Sequence, residues 1–108
     1  MNGLGVALRK LRKQRALTFR EIGKLSGVDF GYVQKLEAGI RTKPSVEVIK
    51  RLLKVLKPTE RDADIIWWLT RYPDADAEFT LDALDDDTMR LKLYTTAAEI
   101  IRRQAGYT

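Results

Sequence analysis

The stretch from Leu17 to Gly39, LTFREIGKLSGVDFGYVQKLEAG, constrains this chain more than any other, because two short helices and the turn between them are specified residue by residue. Thr18 is a hydroxyl N-cap, and Glu21 three residues later completes a capping box over the first amides of a helix. Ile22 and Leu25 are expected to line its inner face. Gly27 stands where a left-handed residue ends that helix, and Asp29 caps the next one almost at once. On this next helix Val33 and Leu36 point inward, which leaves Phe30, Gly31, Tyr32, Gln34 and Lys35 outside. A helix of that size fits the major groove of DNA.

Charge favours the same reading. The net charge of +5 conceals an asymmetry, since residues 1–61 hold 15 Lys/Arg against 5 Asp/Glu, whereas residues 62–108 hold 5 against 10. A basic half fits a polyanionic partner, and an acidic half fits a task other than DNA contact. A chain of 108 residues has room for one small domain plus an appendage. There is no Cys and no His, which excludes disulfides, thiolate chemistry and the usual zinc sites. No cofactor and no metal are expected, although the Asp85–Asp87 carboxylates would hold a divalent cation weakly. No apolar run approaches a membrane span and no cleavable leader is visible, so a cytoplasmic protein is the expectation.

Around the central pair, Leu4, Leu8 and Leu11 recur at helical spacing, with Arg9, Lys10, Arg12, Lys13 and Arg15 on the remaining surface. Read alone, that basic run is a solvated face; beside a reading helix it becomes a phosphate-facing one. Val28 belongs to the core between the two central helices, and the third helix stops at Gly39. The loop Ile40-Arg41-Thr42-Lys43-Pro44 follows, and Ser45 caps a fourth helix with Val46, Ile49, Leu52, Leu53 and Leu56 as its apolar stripe. After Lys57-Pro58, Thr59 and Asp62 form an acidic variant of the capping box for a fifth helix, apolar around most of its circumference at Ile65, Ile66, Trp67, Trp68 and Leu69. Residues 74–87 hold seven acidic side chains and no basic one, with Phe79, Leu81 and Leu84. This stretch reads as a linker. A last helix is expected to about Gln104, with Met89, Leu93, Tyr94, Ile100 and Ile101 among its apolar residues.

Thr18-x-x-Glu21-Ile22-Gly23, Gly27-Val28-Asp29, Tyr32-Val33-Gln34-Lys35-Leu36-Glu37-x-Gly39 and Pro44-Ser45 together resemble the helix-turn-helix of the Xre family of phage-repressor and Cro-type proteins, over about residues 4–70. The resemblance implies an all-α, five-helix repressor-like bundle, here residues 1–72, with an additional C-terminal helical segment at 73–108. It also implies that the third helix lies in the major groove. Carried over position by position, Phe30, Gly31, Tyr32, Gln34 and Lys35 would face the bases, Gln34 suiting an adenine edge, Lys35 guanine and Phe30 a thymine methyl. Thr18, Phe19 and Arg20 at the start of the second helix, and Arg41, Thr42 and Lys43 in the loop, would hold phosphates. Phe19 departs from the pattern, since many members carry Gln there; it would pack on the first helix instead. Glu37 is expected to be structural, holding a local cation or a backbone amide, and Tyr32 divides between packing on the second helix and touching DNA.

One such unit reads too few base pairs for selectivity, and a two-fold dimer would place its reading helices about 34 Å apart on a palindromic operator. Trp67, Trp68, Met89, Leu93, Tyr94, Ile100 and Ile101 are the expected dimer or partner surface, against the alternative that the tryptophans close the core. The leading expectation is a homodimeric repressor bound to double-stranded DNA. The second is an antitoxin that binds its own promoter and covers a cationic toxin with residues 73–108. A third is an adaptor that has kept the fold without the DNA binding; the +10 half and the Arg41-Thr42-Lys43 loop weigh against it. Without His or Cys, and with its carboxylates in an apparently exposed run, the chain is not expected to be an enzyme.

Overall fold

A computed structural model describes residues 2–73. Five helices follow one another, α1 (Gly3–Gln14), α2 (Phe19–Ser26), α3 (Phe30–Ala38), α4 (Val46–Leu56) and α5 (Glu60–Arg71), and no strand occurs among the described residues. This is the expected all-α bundle. The linker at 74–87 and the last helix, with Met89, Leu93, Tyr94, Ile100 and Ile101, lie outside the described residues.

Each helix starts on a side-chain cap. The Thr18 hydroxyl accepts from Glu21 N at 3.1 Å while Glu21 Oε1 accepts from Thr18 N at 3.0 Å, so the expected capping box is complete. Asp29, Ser45 and Thr59 accept from the amides of Tyr32, Val48 and Asp62. The reciprocal half of a box at Thr59 is replaced by an ion pair, the Asp62 carboxylate accepting from Arg61 Nε at 3.3 Å. Asn2, which is not among the expected caps, accepts through its side chain from Gly5 N at 2.7 Å and caps α1.

The ends are equally explicit. Gly27 (φ 75°) closes α2 with one bond to Gly23 O, the αL motif. Gly39 (φ 80°) closes α3 with the paired bonds of a Schellman motif, Ile40 N to Lys35 O at 2.9 Å and Gly39 N to Leu36 O at 3.2 Å. At the end of α4 a lysine, Lys57, takes the left-handed conformation.

The core runs through all five helices: Leu4, Leu8 and Leu11 of α1, Ile22 of α2, Val28 of the turn, Val33 and Leu36 of α3, Ile49, Leu52, Leu53 and Leu56 of α4, and Ile65, Ile66, Trp67 and Leu69 of α5. Two expected core residues are outside it. Leu25 is 65% exposed, because α2 ends one residue later and the groove beside it is lined by the long side chains of Arg51, Lys54 and Lys57. Val46 is 39% exposed, since it opens the first turn of α4, beyond the core's edge. α1 packs on α3 and α5, and α2 packs on α3 and α4. The α1–α3 crossing requires Gly5, where a Cβ would lie 2.5 Å from Glu37 O and 2.6 Å from Leu36 O.

Candidate nucleic-acid interface

The reading unit is held from behind by a clamp that is only partly visible in the sequence. Arg12 of α1 donates from Nε to Glu37 Oε2 at 2.7 Å and from Nη2 to Glu37 Oε1 at 3.0 Å, a bidentate pair buried between α1 and the end of α3. Its third bond goes to Leu17 O at 2.8 Å, and the guanidinium lies 4.0 Å from the centre of the Phe19 ring. One side chain thus ties α1, the α1–α2 connection, the start of α2 and the end of α3 together. Glu37 holds a cation as expected, and Phe19 packs toward α1.

This corrects the reading of the basic run on α1. Arg12 is buried in the clamp, and Arg15 donates to Leu56 O at 2.8 Å and to Lys57 O at 2.6 Å, capping the C-terminal carbonyls of α4. The Arg12 guanidinium is therefore closed to phosphate, whereas Arg9, Lys13 and Arg15 are exposed, Arg15 with two of its nitrogens engaged by carbonyls.

The outer face of α3 is formed as the periodicity requires. Gln34 and Lys35 are exposed, Phe30 is 36% exposed, and Gly31 and Tyr32 are half-buried, with the Tyr32 ring packed against the core. Tyr32 therefore serves packing and surface at once. The N-terminus of α3 lies close against α2, since a Cβ on Gly23 would meet Phe30 Cβ and Val28 O at 3.0 Å. Above that contact, the Arg20 guanidinium sits 4.9 Å from the centre of the Phe30 ring.

Beyond the Schellman cap the chain folds back, so that Asp29, Tyr32, Lys35, Ile40, Arg41, Thr42 and Lys43 enclose an open cleft of about 550 Å³. Three cations, two hydroxyl-bearing residues and one carboxylate line it. The bonds from Ile40 N and Arg41 N to Lys35 O bind the loop directly to the helix that carries Gln34 and Lys35. The sequence reading missed Ile40, a 70% exposed aliphatic side chain on the wall of this cationic cleft; an apolar residue immediately after a helix-ending glycine was its only signal.

The start of α2, where Thr18 and Arg20 are exposed and Phe19 is half-buried, forms the other flank. The capping box occupies the amides of Thr18 and Glu21. The bond from Thr18 N, then the contact with the Thr18 hydroxyl, hold the Glu21 carboxyl below the ordinary glutamate value of 4.5.

The expected interface residues divide. Trp67 is 1% exposed within the core, so its ring offers no surface to a partner. Trp68 is half-buried at the edge of the core and packs against Tyr72, ring centres 4.9 Å apart and planes inclined by 41°. No group of His, Cys, Asp and Glu among the described residues could hold a metal ion, and no described helix is long and apolar enough to cross a membrane.

Comparison with known proteins places these elements among relatives. A family model described as a helix-turn-helix domain matches residues 4–64. The uncharacterized HTH-type transcriptional regulator RghRB of Bacillus subtilis (strain 168) is 39% identical over 57 residues, and the HTH-type transcriptional repressor RghR of the same organism is 37% identical over 57 residues. Each alignment covers 53% of this chain but only 41% and 42% of the respective relative, so the chain spans about two fifths of the curated relatives it matches. No solved structure matches the chain significantly.

Proposed function

Since the chain belongs to the helix-turn-helix domain family, we propose that it is a sequence-specific, double-stranded DNA-binding transcriptional regulator acting as a homodimeric repressor on a palindromic operator. The observation that carries the reading is the continuity of one exposed surface, in which the Gln34 and Lys35 side chains of α3 run into the cationic Lys35–Arg41–Lys43 cleft. α3 would enter the major groove, Gln34 meeting an adenine edge and Lys35 a guanine, with Phe30, Gly31 and Tyr32 at the near edge. Arg41, Thr42 and Lys43 would grip phosphates on one flank, and the amides of Phe19 and Arg20 at the start of α2 on the other. Gly31 adds no side chain and permits close backbone approach.

Repression would follow from occlusion of the promoter, in keeping with the repressor named among the relatives. A cytoplasmic, non-enzymatic protein follows from the same reading. Pairing of two chains would fall to Trp68, Tyr72 and residues 89–101. Titration of labelled duplex DNA tests the proposal: affinity should fall steeply with salt, and Gln34→Ala with Lys35→Ala should remove the preference at the base pairs those two side chains meet while non-specific affinity survives. Binding that ignores salt would overturn it.

The seven carboxylates of residues 74–87 favour one second reading, an antitoxin whose acidic segment covers a cationic toxin. Co-purification of a neighbouring gene product from the native host distinguishes it from a repressor alone.

A further inference from the structure

Four other arginines in the described residues commit guanidinium N–H groups to oxygen atoms of the protein: Arg12 to Glu37, Arg15 to the end of α4, Arg51 to Glu47 at 3.0 Å and Arg61 to Asp62. Arg20 is different. Its contact is a ring, that of Phe30, 4.9 Å from the guanidinium carbon. We propose that Arg20 is a base-reading residue, with Phe30 as the platform that positions it, in place of the phosphate and thymine-methyl roles that the two positions would otherwise take. The inference rests on the DNA-binding reading of the same surface.

The contact originates at Gly23. Arg20 and Gly23 are three residues apart and therefore lie on one face of α2. The missing side chain at Gly23 lets the start of α3 approach until Phe30 Cβ lies where any Cβ on Gly23 would meet it at 3.0 Å. That approach brings the Phe30 ring under the side chain one turn earlier, where Arg20 closes over it. Both Arg20 and Phe30 are exposed, at the N-terminal edges of the two helices that would flank the groove.

A guanidinium held over a ring face differs chemically from a free one. The ring restricts the rotamer freedom an arginine otherwise loses on binding and leaves the N–H edge of the fork for a further partner. Such an edge matches the paired acceptors O6 and N7 of guanine, whereas a phosphate needs only a nearby cation and gains little from a platform. The surface of α3 itself is poor in hydrogen-bonding side chains at its start, where Phe30 and Gly31 stand. Arg20 would supply from α2 the donor that α3 lacks there. Phe30 is then a positioning residue.

Selection from a randomised duplex pool with the full chain, followed by anisotropy titrations across a salt series, tests this. Arg20→Ala should lose about ten- to a hundred-fold of discrimination at one base-pair position, and Phe30→Leu should lose part of it at that same position, with Arg20→Lys failing to rescue. The combined Arg20→Ala/Phe30→Leu variant should be no worse than Arg20→Ala alone at that position. A uniform loss across all sequences, with the salt slope reduced by about one and the preference intact, would make Arg20 a phosphate contact and overturn the proposal. Loss at two different positions would equally overturn it by separating the residues. Salt-independent binding by the unaltered chain would instead defeat the DNA reading itself, so the two failures are distinguishable. Circular dichroism confirms that each variant is folded.

Discussion

Replacing Glu37 by leucine removes the carboxylate that accepts two of the three hydrogen bonds of Arg12. The side chains of Arg12 and Glu37 are 10% and 5% exposed, so solvent does little to screen them and the guanidinium cannot turn to water without opening α1 from α3. Among the described residues, Leu17 O and the Phe19 ring would remain as its partners. Breaking a buried pair from one side costs about 3–5 kcal/mol, which is a large share of the roughly 5–15 kcal/mol that holds a domain together. In a domain of this size each kcal/mol moves Tm by about 4–8 °C, so Glu37→Leu should lower Tm by about 12 °C or more. The double variant Arg12→Met/Glu37→Leu removes both charges and should recover to within about 1 kcal/mol of the unaltered protein. Urea unfolding followed by circular dichroism supplies all corners of the cycle, with Arg12→Met as the fourth. A double variant as unstable as the sum of the singles would give no coupling energy, and would refute the clamp as the element joining α1 to α3. Because the clamp also holds Phe19 at the start of α2, the singles should weaken DNA binding at temperatures where the fold still stands.

Other perturbations address separate parts. Gly5→Ala should destabilise by about 1–3 kcal/mol in thermal unfolding, despite alanine's higher helix propensity, because the added Cβ meets backbone oxygens at 2.5 and 2.6 Å that cannot yield. Lys57→Gly should raise stability by about 0.5–1 kcal/mol, since φ of 47° strains a lysine and not a glycine; an unchanged Tm would count against that strain. The Glu21 carboxyl is held below its ordinary value of 4.5 in the folded chain, so its capping contribution is complete at pH above that value and is lost as pH falls through the lowered one. The Tm difference between the unaltered chain and Glu21→Ala should accordingly be present at neutral pH and shrink in acid, and a difference that grows in acid would contradict the sign.

The reading unit was visible in the sequence because its signals are local. Thr18 and Glu21, Asp29, Gly27 and Gly39 act within one turn of where they stand, so the chain order already contains their partners. The apolar positions Ile22, Val33 and Leu36 were equally readable, since a short helix between two caps has little choice of inner face. Failures occurred where a residue's neighbour comes from elsewhere. Leu25 keeps helical spacing, yet the groove beside it is lined mostly by long cationic side chains, and Val46 stands one turn too early to reach the core. Composition could not divide the cations of α1, because burying Arg12 depends on a carboxylate 25 residues away and Arg15 caps a helix that ends more than 40 residues later.

What the sequence alone determined, then, is the order of the five helices, the N-caps of α2 to α5, and the surface of α3 that faces away from the core. Those features follow from backbone hydrogen bonding and apolar periodicity, both short-range in the chain. Only the tertiary structure decided which arginines bond to other helices and that Trp67 belongs to the core. It alone also brought Ile40 into a cationic cleft and Arg20 over Phe30. A cation or a large aromatic side chain accepts water, a carboxylate, a carbonyl or a ring with comparable free energy, and packing between distant helices selects which one is within reach.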